Sequence, residues 1–400
     1  MTATIAVADR APVLARTRAT KMARSAHAYV RGSTKQFYEW LAASPAAARV
    51  PQGPQIWICG DCHIGNLGPL ADADGHVDVQ IRDLDQTVIG NPAHDLIRLA
   101  LSLETAARGA DLPGVMTARM IEAMIEGYAL ALADPDDRML APEPQAVRTV
   151  RRNAMGRRWR HLSRERIAGE DSCIPLGRKF WPLSARERSA IEALFGRSSI
   201  RKATLNLFDH EPGGQLRVVD AAYWRKGCSS LGSLRYAVIV DVGDAGKPGD
   251  LALIDIKEAV RTVVPVAQGA AMPRDRAERV VTGARALSPN LGDRMIATRL
   301  LGKPVVLREL APQDLKLEVS QFSRDEAVEA ARYLAYVVGV AHARQMDAVT
   351  RDSWRCELQR RHDAQLDAPS WLWDSVVSLA ARHEAGYLDF CRTYALSDPG

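Results

Sequence analysis

The chain has 400 residues, 47% hydrophobic and 25% charged, with a formal net charge of +5. This describes an ordinary globular chain of two or three domains or one two-lobed unit, with a mild basic bias that suits anionic ligands. Its composition excludes a bilayer-spanning run, a secretory signal in the first 22 residues and a disulfide framework, so a cytoplasmic protein with six reduced thiols is expected.

In chain order, Gln55 to Cys59 reads as a short buried strand, followed by Gly60-Asp61-Cys62-His63-Ile64-Gly65-Asn66. His76 to Leu84 alternates Val77, Val79 and Ile81 with polar residues and runs into Asp83-Leu84-Asp85, which predicts a strand paired with the first across the loop. An acid, an amide five residues later and a second acid at a strand end can converge on one point, as magnesium-assisted phosphoryl transfer requires. Cys59-Gly60-Asp61-Cys62-His63 also fits a c-type haem attachment pattern. Haem attachment needs export and a zinc site needs a second ligand pair, so two thiols flanking a tight turn is the preferred reading.

Pro92 opens a helix reaching Arg108, with Leu96, Leu99, Ala100 and Leu103 on one face and Asp95 in its first turn, where it is expected to bond backbone amides. A second helix is predicted over Val115 to Leu132. The stretch from Val147 to Lys179 carries Arg151, Arg152, Arg157, Arg158, Arg160, Arg164 and Arg166 around Trp159. Without repeated aromatic platforms it reads as a solvated or phosphate-facing helix in preference to a nucleic-acid surface.

Strands follow over Leu216 to Val219, Leu234 to Val242 and Leu251 to Ala259. Between the first two lies Lys226-Gly227-Cys228-Ser229-Ser230-Leu231-Gly232-Ser233, a small-residue turn whose amides could cover phosphates, although it is no Walker loop. Lys257 sits inside the third strand, where it must meet an anion or share a solvated face with Asp255. Strand alternation turns Glu258 away from it, so Glu278, on a helix predicted from Arg274 to Leu287, is the candidate partner. A strand at Val305 to Leu310 and helices over Asp325 to His342 and Trp371 to Tyr394 complete the pattern.

Asp61, Asn66, Asp83 and the segment Gly90-Asn91-Pro92-Ala93-His94-Asp95-Leu96 together resemble the protein-kinase-like superfamily, especially its aminoglycoside phosphotransferase branch. Cys59 stands where that branch has a histidine. More closely, the chain is similar to the bacterial family called domain of unknown function 2252, through Lys21-Met22-Ala23-Arg24-Ser25, Tyr29-Val30-Arg31-Gly32, Gly60-Asp61-Cys62-His63, Arg82-Asp83-Leu84-Asp85, Ile256-Lys257-Glu258-Ala259, Arg279-Val280-Val281 and Ala341-His342-Ala343-Arg344. The catalytic loop precedes the glycine turn and the strand lysine, the reverse of the usual order, which implies a circular permutation.

The resemblance implies an α+β, two-lobed, protein-kinase-like fold. Residues 1–145 would hold the catalytic loop and metal site of a helical lobe, 146–212 a basic linking segment, 213–312 a β-rich nucleotide lobe, and 313–400 the helices completing the first lobe. It further implies transfer of the γ-phosphate of ATP, with Mg2+, to a hydroxyl on an unidentified small molecule or protein. Asp61 would be the catalytic base, Asn66 and Asp83 metal ligands and Asp85 an accessory one. Lys257, positioned by Glu278, and the turn containing Gly227, Ser229, Ser230 and Gly232 would hold the nucleotide. His63 would brace the loop or carry a proton, while Arg31 and Arg98 would meet either phosphate or buried carboxylates. The alternatives are nucleotidyl transfer to protein, a silent ATP-binding protein, or an RNA-binding protein using the arginine-rich stretch.

Overall fold

A computed structural model describes residues 5, 7–72, 74–137, 140–157, 173–208, 214–228, 231–243, 250–315, 326–359 and 369–397. Three helices for which periodicity gave no expectation open the chain: α1 (Arg10–Met22), α2 (Ala26–Gly32) and α3 (Thr34–Ala42). Ser25 caps α2 by accepting from the Ala28 amide at 3.1 Å, and α3 turns Phe37, Tyr38 and Leu41 into the core.

Four short strands follow: β1 (Ile56–Ile58), β2 (Leu67–Ala71), β3 (Val77–Ile81) and β4 (Val88–Gly90). The pairing expected between the strands at 55–59 and 76–84 does not form. β2 pairs antiparallel with β3, and β1 with β4. The reason is local, because the Asp72 carboxylate accepts from the His76 amide at 2.8 Å and Gly75 takes a φ of +82°, closing a tight turn that brings β2 onto β3. Helices α4 (Ala93–Gly109) and α5 (Gly114–Ala133) then lie within a residue or two of their predicted spans.

The next elements are α6 (Gln145–Met155), β5 (Phe180–Trp181), α7 (Ala185–Gly196) and α8 (Ser198–Leu207). Of the arginine-rich stretch, Arg151 pairs with Glu143 at 2.9 Å and Arg157 donates to the Pro312 carbonyl. Arg158, Trp159, Arg160, Arg164 and Arg166 lie outside the described residues.

Strands β6 (Gln215–Trp224), β7 (Arg235–Gly243) and β8 (Asp250–Glu258) form consecutive hairpins, followed by α9 (Arg276–Leu287), α10 (Pro289–Gly292), β9 (Met295–Leu300) and β10 (Lys303–Glu309). They make one antiparallel sheet in the order β5-β6-β7-β8-β10-β9. β9 carries Thr298 and Arg299 on an exposed sheet edge, so it lacks the apolar run that would announce it.

Three helices close the α+β chain: α11 (Glu326–Ala343), α12 (Ala348–Gln359) and α13 (Ser370–Ser397). α11 packs along α5, while α13 packs on α2, α3 and α4. The end of α1 meets α13 there. The Thr20 and Tyr394 hydroxyls are 2.8 Å apart, and Tyr387 donates to the Ala23 carbonyl at 3.0 Å. One apolar core joins the helices to β1–β4 and α9, and a second lies between the six-stranded sheet and α7 and α8. No helix among the described residues is long and apolar enough to cross a membrane.

Candidate functional site

The loop from Cys59 to Asn66 is shaped by Gly60, whose φ is +74° and whose missing Cβ would stand 2.6 Å from Val264 and 2.7 Å from the Gln86 carbonyl. Asp95 fixes the same turn from α4. Its carboxylate accepts from the Cys59 amide at 2.7 Å and the Gly60 amide at 2.8 Å, so it caps this loop and not, as its position suggested, the start of its own helix. His342, from the end of α11, reaches the same carboxylate at 3.2 Å, and its other ring nitrogen lies 2.9 Å from the Tyr128 hydroxyl, which accepts from Trp354. Cys59 and Cys62 are buried free thiols; the hydrogen bond between them and then burial push Cys59 up in pKa, while that bond lowers Cys62 and burial outweighs it, as suits packing residues.

Asp61 is buried beside Arg98, whose Nε donates to Asp61 Oδ1 at 2.9 Å and whose second nitrogen donates to the Val30 carbonyl at 2.6 Å. Burial raises the Asp61 pKa, with Arg98 acting against it. Asn66 donates to the Asp61 carbonyl at 2.9 Å, and its own carbonyl accepts from the Arg82 amide at 2.7 Å. The loop is thus tied directly to the segment bearing Asp83.

Lys257 extends from β8, and its Nζ lies 3.2 and 3.3 Å from the two oxygens of Asp83 and in contact with the Asp85 carboxylate. Both acids therefore share one ammonium. The Lys257 side chain is 14% exposed, against 46% for Asp83 and 20% for Asp85. Burial pushes Asp83 upward, but the Lys257 and Arg235 charges outweigh it and hold that carboxyl well below the usual range. Burial and the neighbouring Asp83 charge push Asp85 up to about 6. Lys257 is opposite Arg235 of β7, and Arg235 forks onto Asp255, with Nε to Oδ1 at 2.9 Å. Asp255 is buried, so this strand face is no solvated one. Glu258 points the other way, accepting from the Leu234 amide and Lys303, both at 2.9 Å.

Glu278 does not take the expected place beside Lys257. It is exposed in the first turn of α9, where Asp275 accepts from the amides of Ala277 and Glu278. The buried side chain at the next position is Arg279, which donates to the carbonyls of Asp85 at 2.8 Å, Val260 at 3.2 Å, and Thr87. Gly227 and Gly232 have φ of +94° and +104° in the β6–β7 turn, and Lys21 of α1 donates to the Gly227 carbonyl at 2.6 Å. Ser229 and Ser230 lie outside the described residues. Of the two partners left open for Arg98, the structure gives it the buried carboxylate; Arg235, Arg279 and His342 were assigned no such place, and Arg98 alone carried a signal. It is a charge within the apolar run Leu96, Ile97, Leu99, Ala100 and Leu101.

The profile of the family described as "Uncharacterized protein conserved in bacteria (DUF2252)" matches residues 10–393. The chain belongs to the DUF2252 family. The match runs from α1 into α13, so the family unit of this DUF2252 chain takes in the 59–66 loop, Asp83 and Lys257 together. No curated protein and no solved structure matches it.

Proposed function

We propose that this DUF2252 protein is an ATP- and magnesium-dependent phosphotransferase of circularly permuted, protein-kinase-like fold that acts on a hydroxyl acceptor. One observation carries the proposal. Lys257 and Asp83, 174 residues apart, meet at 3.2 Å, so a strand lysine and a loop-end acid share the spot a triphosphate and its cation would occupy. The permutation has independent support. The end of α1 packs against α13, and His342, at the end of the helix expected to lead into the catalytic loop, hydrogen-bonds the carboxylate that holds that loop.

The donor set fits a hard divalent cation, because Asp83 and Asp85 already converge on one positive charge and the Asn66 backbone carbonyl is bonded to Arg82, next to Asp83. Magnesium bound there would neutralise charge on the transferred phosphoryl group. Asp61, oriented through Oδ1 by Arg98, would accept the acceptor's proton, and its raised pKa makes it a better base. Lys257 would exchange its carboxylates for phosphate oxygens. The open volume around Lys257, Asp83 and Asp85 is only about 50 Å3, far below that of a nucleotide pocket, so the phosphates would displace existing contacts from the more exposed Asp83 side.

Thermal unfolding tests the nucleotide site. ATP with Mg2+ should raise the Tm of the full-length protein, ATP with chelator should not, and Asp83→Ala should abolish the shift. Absence of any shift in the unmodified protein would remove the proposal's basis. Labelled ATP then fixes the chemistry, since γ-label on a product means phosphoryl transfer and α-label means nucleotidyl transfer.

A further inference from the structure

We propose that the cleft beside Arg31 is an anion subsite that anchors the acceptor through a phosphate or carboxylate it carries besides its hydroxyl; this rests on the phosphotransferase reading above. Two arginines stand at the 59–66 loop, and the structure gives them different duties. Arg98 is committed to Asp61 and the Val30 carbonyl. Arg31, one residue further along α2, has no carboxylate partner among the described residues, and its Nε is buried without a hydrogen-bond partner.

Its position is built by the loop itself. The Arg31 guanidinium lies across Gly65, where a Cβ would come within 3.0 to 3.1 Å of its Cζ, Nε and Nη2 atoms. A side chain there would crowd the guanidinium and shift it by a few tenths of an ångström. A guanidinium stays charged throughout the ordinary pH range and presents a fork suited to phosphate or carboxylate.

Beside it opens a cleft of about 650 Å3, enough for a small metabolite, lined among others by His27, Arg31, Gly65, Thr105, Arg108 and Glu384. The charge in this cleft is unbalanced. Both Glu384 oxygens are taken by Arg108 at 2.9 Å, which leaves Arg31 as the cation with no counter-charge. Burial first, then Arg31 and Arg98, hold His27 down to about 4, so it offers a neutral hydrogen bond near pH 7. Val30, whose carbonyl takes Arg98, also lines the cleft, which puts it one side chain away from Asp61. The cavity around Lys257 shares none of these lining residues, so an anion here is separate from the nucleotide phosphates.

The test is thermal unfolding of the nucleotide-free, full-length protein in potassium phosphate, potassium malonate and potassium chloride at matched ionic strength. Phosphate or malonate should raise the Tm by about 2–5 °C more than chloride, and the more effective anion names the acceptor's charged group. Arg31→Gln should abolish that difference, while Arg217→Gln, on strand β6 and outside this cleft, should keep it. If Arg31→Gln does not fold, Arg31→Lys, which keeps the charge but loses the guanidinium fork, should shrink the same difference. Equal shifts in all three salts, or a shift undiminished in both Arg31→Gln and Arg31→Lys, would overturn the subsite. Stabilisation by ATP with Mg2+ should persist in Arg31→Gln. Its absence from the unmodified protein as well would sink the phosphotransferase reading and leave the anion result standing.

Discussion

Asp61 and Asp83 belong to neighbouring segments joined through Asn66, yet their charges are held in opposite ways. The Asp61 side chain is 12% exposed and is gripped by an arginine that is itself fully buried and tied to a backbone carbonyl. The Asp83 side chain is 46% exposed and shares a lysine with Asp85. The first arrangement is a fixed part of the core, whereas the second can exchange one cation for another without disturbing the fold. A catalytic base needs a constant orientation and a metal ligand needs a replaceable partner, so the contrast follows the roles proposed for the two acids.

The comparison breaks most visibly at Arg98. Arg98→Met would leave Asp61 buried without a counter-charge and the Val30 carbonyl without its donor, at a cost of about 3–5 kcal/mol measurable by urea unfolding. A loss below about 1 kcal/mol would show that Asp61 does not depend on this partner. At the other acid the expected loss is smaller. Lys257→Met should cost about 1–3 kcal/mol, reduced because Asp83 is nearly half exposed to water. Here, moreover, Mg2+ alone should recover most of the lost Tm by binding the two released carboxylates, whereas no cation should rescue Arg98→Met.

The pH dependence sharpens the same contrast within the Asp83–Asp85 pair. Asp85 holds its proton more tightly in the folded state, with a pKa near 6, than in the unfolded chain, so its contribution to stability falls as pH rises from about 4 to about 6. Asp83 acts with the opposite sign. Its depressed pKa stabilises the fold above the ordinary carboxylate range, and that stabilisation is lost as pH falls below it. Asp85→Asn should therefore flatten the decline between pH 4 and 6 in a stability profile. Because a cation must displace the Asp85 proton, Mg2+ affinity should also climb through pH 6 in the unmodified protein and lose that climb in the variant.

What could be read from the sequence follows physical range. The 59–66 loop, the strands near 55–59 and 76–84 and the helices over 91–108 and 115–132 were legible because their signals are local: alternation, a proline at a helix start, an acid and an amide at fixed spacing. The partners were not. A buried carboxylate was one of two partners open to Arg98, but that it is Asp61, that Arg235 takes Asp255 and that Asp85 is a second acid on Lys257 depend on which elements pack together, and no short-range pattern encodes that. The β1–β4 pairing was missed for a related reason, since the Asp72–Gly75 turn took β3 for β2 and left β1 to a strand of three residues.

Glu278 supplies the smallest expected effect and the finest discrimination. In the structure its exposed side chain leaves Lys257 to Asp83 and Asp85, so Glu278→Gln should change the stability of the nucleotide-free protein by no more than about 0.5 kcal/mol. If phosphates displace the two aspartates from Lys257, the lysine needs another carboxylate to hold it in place, and α9 follows β8 in the chain with Glu278 in its first turn. Glu278→Gln should then weaken stabilisation by ATP with Mg2+ several-fold in apparent affinity while leaving the nucleotide-free Tm alone. Should both quantities be unchanged, Lys257 keeps its aspartates when nucleotide binds and Glu278 is an ordinary surface residue of α9. A fall in the nucleotide-free Tm alone would instead assign it to the helix start, where its charge favours the N-terminal end of α9.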